Sequence, residues 1–399
     1  MHVFDGFSVV GRKVTGRTVK TLTVVGAAGA VLSGMAAFAF PASAQPAAPS
    51  YTVHQILSGQ SLHHWYTPAG HHGKKSEPLT QPDDITLLGG NLFTGFQNGV
   101  GPQGQASGDG NRDSTIVEFT QSGRVVGQWD VQGKCDGLTA DTATGVVVAT
   151  VNEDAHSSLY TISPSGQVVH YAYNKALPSK GGTDAISFYK GQMLISASAP
   201  GTTGAAAPRA AYPAVYAVTL NQAKRVADIR PIYYDESDAT QATGTVSGGT
   251  VRLALTDPDS NEVVPGSAPR FAGDFMLTSQ GDKEQIYASG AGSSSQHLWV
   301  LKLSQSVDDT AWATSWDGAF FAADHDGDTV DEVSGTFWPE GTAFVAVTPC
   351  DANNAPATCP GPGFAANYLG WLNMWNGHIT PVSLHGPRLE PQGMIFVAG

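Results

Sequence analysis

Beyond residue 50 the chain alternates short apolar runs with clusters of Gly, Asn, Asp, Ser and Pro. No long stretch carries apolar residues at the spacing of an amphipathic helix. Runs such as NLFTGF (91–96), GVVVATV (145–151), QMLISAS (192–198), QIYASG (285–290) and AFFAAD (319–324) have the length and β-branched or aromatic content of buried strands. The pattern predicts an all-β chain of many short strands joined by tight turns.

The strands recur in units. STIVEFTQSGRVVGQWDV (114–131) and SSLYTISPSGQVVHYAY (157–173) share a strand, a Ser-Gly turn and a second strand, and NYLGWLNMWNGHITPVSL (367–384) repeats the shape with Asn-Gly. Ser-Gly and Asn-Gly supply the positive φ of a tight hairpin. A second repeated element is an aspartate two residues before an apolar position at a strand head. It occurs at Asp83, Asp136, Asp184 and Asp274, more loosely at Asp308, and with an amide at Gln392. A three- or four-stranded sheet cannot bury both faces alone, whereas several standing radially about an axis can. A sandwich predicts no repeated strand-head acid, and a β-helix predicts shorter, more regular coils. The expectation is therefore a β-propeller of six blades, or seven if the long gaps hold another. PQGMIFVAG at the C-terminus reads as an innermost strand that pairs with a strand near Tyr51–Leu57 and closes the ring.

The first residues change the picture of where the protein works. Residues 1–44 carry a basic start, an apolar Ala/Gly-rich stretch and Ala42-Ser43-Ala44, the form of a cleavable secretory leader. This predicts a secreted, extracellular protein with an N-terminal segment at 45–80 and a propeller at 81–399. No later stretch is long and apolar enough to span a bilayer. The whole chain has a formal charge of −13, and loss of the basic leader makes the remainder more acidic. Such a field disfavours nucleic acid and anionic lipid. The expected partner is an extracellular ligand, met by a monomer. Of the three cysteines, Cys350 and Cys359 bracket one short loop and read as a disulfide, leaving Cys135 as a buried, inert thiol.

The strand-head Asp-Gly-Leu (136–138), the inner strands and the SPSG hairpin (163–166) resemble six-bladed propellers of the NHL and gluconolactonase/strictosidine-synthase-like type. PDDITLLGGNLFTGFQNGVGPQG (82–104) and ANYLGWLNMWNGHITPV (366–382) are similar to an uncharacterised group of exported bacterial propellers, a likeness that implies no reaction. The first resemblance implies a metal in the central channel held by Glu, Asn and Asp, with Asn98 and Asn152 in the Asn positions. The Asn-Gly-Leu and Ser-Pro-Asp-Gly motif that accompanies lactonase activity is not present.

Strand-head residues of a propeller gather at one rim, so Asp83, Asp136, Asp184, Asp274 and Asp308 are candidates for an acidic ring. Aspartates of this kind either cap the turn that starts each blade or present oxygen to a cation, with calcium the candidate ion. A separate calcium candidate is DHDGDTVDEV, where Asp324, Asp326 and Asp328 alternate and Asp331 and Glu332 follow. His63, His64, His71 and His72 read as a solvated segment with casual metal affinity. GVGPQG (99–104) matches a dinucleotide fingerprint in letters, but no helix can follow it, so no nucleotide cofactor is expected. Two functions remain: an extracellular binding module for a small molecule, glycan or protein, using one rim with structural calcium, or a metal-dependent hydrolase of lactonase or esterase type.

Overall fold

The computed structural model describes residues 50–68, 70–198, 212–243, 248–349 and 367–399. The leader and the Cys350–Cys359 pair lie outside the described residues. Among those described there is no α-helix, only two 3-10 turns and many strands. Among the described residues no helix is long and apolar enough to cross a membrane.

Antiparallel pairing separates the strands into the units that follow; the second and third are joined into one eight-stranded sheet by a parallel contact of Ala172–Tyr173 with Val226–Ala227, and the hairpin of His63–Tyr66 and Lys75–Pro78 stands apart. The first comprises Pro82–Leu88, Asn91–Phe96, Asp113–Thr120 and Val125–Gln132. The second comprises Cys135–Asp141, Val146–Val151, Ser158–Ile162 and Val168–Tyr173. The third comprises Ile186–Tyr189, Gln192–Ser196, Pro213–Asn221 and Val226–Tyr234. The fourth comprises Pro258–Val263, Phe275–Ser279, Glu284–Ser289 and His297–Lys302, extended outward by Asp238–Gln241 and Thr250–Arg252. The fifth comprises Val307–Trp312, Ala343–Val347, Tyr368–Leu372 and Ile379–Pro381. The sixth comprises Pro391–Ala398, Gly318–Asp324, Thr329–Gly335 and Tyr51–Ser58. Their first strands neighbour one another in a closed circuit, the last of them beside Pro82–Leu88. The chain is a β-propeller.

The core is distributed accordingly. Six apolar clusters lie between successive blades, from Phe93, Ile116 and Leu138 between the first and second to Leu57, Phe119 and Phe321 between the sixth and first. Alternation along each strand sends one set of side chains to each neighbouring interface, which is why both faces are apolar. The predicted hairpin turns form, with Gly123, Gly166 and Gly377 at φ of 82°, 95° and 72°.

Two sequence expectations are corrected. The terminal strands share a sheet but do not pair: Gly318–Asp324 and Thr329–Gly335 stand between Pro391–Ala398 and Tyr51–Ser58. The repeat of strand head, turn and apolar strand would put AFFAAD behind the Asp308 strand, yet Val307–Trp312 pairs with Ala343–Val347. The 318–335 hairpin instead supplies the middle of the sixth blade, and Leu384–His385 adds a short parallel strand beside Tyr51–Thr52 at its edge.

Candidate functional site

The head of each innermost strand brings one polar side chain to a common channel: Asp83, Asp136, Asp184, Asp259, Asp308 and, in the sixth blade, Gln392. Lys134, Glu153, Gln280, Asp326, Thr348, Asn367 and Glu390 join them around a mouth of about 340 Å³. Beyond the ring the channel narrows to about 60 Å³. Asp83, Asp136, Asp184 and Asp308 were expected here. Asp274 is not here: it precedes Phe275–Ser279, the second strand of its blade. Because Val263 pairs with Phe275 while Pro258 pairs with Ser279, Asp274 sits at the opposite end of the blade from the mouth. The true fourth head, Asp259, was missed because Asn261 stands where the other heads carry an apolar residue or threonine. That asparagine has another task. Its Nδ2 donates to the Ala185 carbonyl at 2.6 Å, and its Oδ1 accepts from Ser187 Oγ at 2.6 Å, tying the fourth blade to the third.

The position after each ring residue stitches the blades together. Asp84 accepts from its neighbour Ile85 N–H and from Leu138 N–H of the second blade, both at 2.6 Å. Asp309 does the same for Thr310 N–H and for Met394 N–H of the sixth, both at 2.7 Å. Where glycine follows, backbones touch: a Cβ on Gly137 would lie 2.5 Å from the Asp184 carbonyl oxygen, and one on Gly393 would lie 2.4 Å from that of Asp83. Repeated acids thus have two jobs: Asp84 and Asp309 hold the ring closed, whereas the preceding acids face the channel.

Facing the channel carries an electrostatic penalty. Burial, then neighbouring carboxylates, pushes the acids of Asp83, Asp136, Asp184 and Asp259 well above the usual range. Asp184 is the neighbouring carboxylate that raises Asp259 most, so the two acids titrate together. Burial works against the Lys134 ammonium, but Asp136, Glu153 and Asp83 outweigh it and raise its pKa. Lys134 Nζ lies 2.8 Å from Asp136 Oδ1 and also pairs with Glu153. Gln97 Nε2 donates to the same Asp136 oxygen at 3.0 Å. Asp136 Oδ2 is buried and has no partner.

Asn98 and Asn152 do not reach the mouth. Asn98 Oδ1 accepts from Thr80 N–H at 3.1 Å, and its amide donates to Asp113 O and Thr115 Oγ1. Asn152 Oδ1 accepts from Lys134 N–H at 3.0 Å, and its amide donates to His156 O. Both are turn clasps at positive φ (53° and 68°) with their polar atoms in use. The donor set that the resemblance implied is therefore not assembled. Among the described residues no three acidic, histidine or cysteine side chains converge closely enough to hold one metal ion. In the 324–332 loop, Asp324 accepts from Gly327 N–H and Glu390 N–H, and Asp328 from Gln81 N–H and Gln60 Nε2. Asp331 accepts from Thr329 Oγ1 and is buried, while Glu332 leaves the opposite face of the strand. These acids anchor a hairpin tip, and only Asp326 turns to the mouth.

The histidines divide. His71 and His72 are exposed. His64 is buried in the strand His63–Tyr66, which pairs with Lys75–Pro78, and lies 3.1 Å from Glu77 and 3.5 Å from Asp130. Burial opposes its charge, but those two carboxylates raise its pKa. Cys135 is a free, buried thiol pushed well up by burial. Among the tryptophans, Trp338 is fully buried, while Trp65, Trp316 and Trp375 are exposed.

No family model matches the chain, and no curated protein does. Solved structures do. The periplasmic gluconolactonase PpgL of Pseudomonas aeruginosa is 14% identical, with a TM-score of 0.41 over 88% of this chain and 99% of that one. A catalytically inactive virginiamycin B lyase from Staphylococcus aureus with quinupristin is 9% identical, with a TM-score of 0.39 over 83% and 77%. The β-propeller domain of Cps50 (Swd1) from Myceliophteria thermophila is 10% identical, with a TM-score of 0.36 over 79% and 88%. The strand pairing of this chain itself carries the fold, and its residues carry the site.

Proposed function

We propose that the protein is an extracellular binding module whose acidic mouth takes a small organic cation, an alkylammonium or short diamine. The observation that carries this is the convergence of five aspartates, one from each of five innermost strands, on a cavity whose one lysine is already paired. The mouth is near the lower end of the size range of ligand pockets. Asp136, which lines it, keeps one buried oxygen, Oδ2, without a hydrogen-bond partner. Carboxylates spaced around a ring suit an ammonium group or a hydrated ion better than direct coordination of a bare one. Calorimetry with 1,4-diaminobutane and its neutral counterpart butane-1,4-diol tests the reading. Saturable binding of the diamine alone, weakened roughly tenfold in Asp136→Asn, is expected for loss of one charged contact. Equal behaviour of diamine and diol, or an unaffected variant, would overturn it. The extracellular setting predicts that protein recovered from culture medium begins at Gln45, which N-terminal sequencing checks.

A second reading, hydrolysis of a lactone or ester, draws on the Asp184–Asp259 pair, which can hold and pass a proton. Turnover of a lactone and aryl-ester panel that disappears in Asp259→Asn would favour it over simple binding.

A further inference from the structure

A second cavity, of about 700 Å³, opens beside the mouth between loops 152–157 and 174–183 of the second and third blades. Its chemistry is the reverse of the mouth's. His156, His170, Lys175 and Lys180 line it, and no acidic residue does. In a chain with 34 acidic and 21 basic residues this segregation is unexpected from composition. Among the described residues none of the four is ion-paired. The rest of the wall is largely apolar, with Tyr173 and Leu177.

The backbone around it is also unusual. His156, Ser179 and Lys180 hold φ of 59°, 52° and 61°, a region that side chains other than glycine occupy at a cost of order 1–3 kcal/mol each. Tertiary bonds hold these loops. Asn152 Nδ2 donates to His156 O at 3.2 Å, Thr183 N–H donates to Ser157 Oγ at 3.0 Å, and Gly182 N–H donates to Ser198 O at 3.1 Å. Tyr160 packs against the His170 ring at 4.7 Å and fixes its orientation. Loop 152–157 is thus two-sided: Glu153 faces the acidic mouth, while His156 faces the basic cavity.

We propose that this cavity is a second binding site, for an organic anion: a carboxylate or sulfonate on an apolar body. The four cationic or imidazole groups take the anionic head, and Tyr173 and Leu177 take the body. It is independent of what the mouth binds.

The probes are naphthalene-2-carboxylate and 2-naphthalenemethanol, which share a body and differ in charge, titrated by calorimetry into the intact protein. The carboxylate is expected to bind saturably, the alcohol roughly tenfold or more weaker. The double variant Lys175→Ala/Lys180→Ala is expected to lose at least that factor for the carboxylate and nothing for the alcohol. Both lysines are exposed, so the variant keeps the fold, which an unchanged Tm confirms. Leu177→Asp, which puts a like charge against the head group, is expected to weaken the carboxylate further. Equal affinities for the two probes, carboxylate binding undiminished in the double variant, or no saturable binding of the carboxylate would each overturn the proposal.

Discussion

His64 shows how one side chain can tie an added element to the body of the fold. Its ring bridges Glu77 within its own hairpin and Asp130 at the outer edge of the first blade, and it stacks on Tyr66 at 5.3 Å. Its folded pKa is raised, so its stabilising contribution is complete below the ordinary value near 6.5 and fades as pH rises through the folded pKa. His64→Gln is expected to cost about 1–3 kcal/mol at pH 6, the scale of charged hydrogen bonds, and much less at pH 9. Urea unfolding of the two proteins at both pH values checks this. At the same scale, Gly137→Ala places a methyl group 2.5 Å from Asp184 O and Thr150 Oγ1. The second and third blades must then separate locally, an overpacking cost of about 1–3 kcal/mol, measurable as a lower urea midpoint.

At the scale of elements, the question is what joins one blade to the next besides apolar packing. Asp84 is a direct link: each oxygen takes a backbone N–H, one from its own strand and one from Leu138. Asp84→Ala is expected to leave both N–H groups without an acceptor and to cost about 2–3 kcal/mol or more. Asp84→Asn keeps one acceptor oxygen and is expected to fall between the variant and the parent. Hydrogen exchange at Leu138 reads the effect locally, and faster exchange there in Asp84→Ala than at Val148 distinguishes a lost staple from general loosening.

Across the whole molecule the channel acids act together. Asp83, Asp136, Asp184 and Asp259 have folded pKa values above their unfolded ones, so between those values the folded state holds more protons than the unfolded. Stability therefore falls as pH rises above about 4 and continues to fall until the folded groups have ionised. Tm is expected to increase on acidification from pH 8 toward pH 5. The double variant Asp184→Asn/Asp259→Asn is expected to flatten that profile and raise Tm at pH 8, which a calorimetric pH series checks. A cation in the mouth binds the ionised form, so its affinity rises with pH and its binding releases protons, visible as a buffer-dependent enthalpy.

Much of this architecture was already written in local patterns. Short apolar runs, Ser-Gly and Asn-Gly turns and repeated acids at strand heads require only near neighbours, so the residues alone determined an all-β chain of radial units and four of the five ring aspartates. What they left open depends on partners distant in sequence. Asp259 and Asp274 look alike as letters, and only the direction of the strand that follows places one at the mouth and the other at the far end. Asp84 cannot be told from Asp83 until Leu138 N–H is seen beside it. The 324–332 acids resemble a cation loop until Asp324, Asp328 and Asp331 are found holding backbone or side-chain donors. His64, the basic cavity and the placement of the 318–335 hairpin between the two terminal strands are likewise products of closure. The reason is physical: turn formation and strand alternation are set within a few residues, whereas which carboxylate finds a partner and which is left facing a cavity is set when six blades meet around one axis.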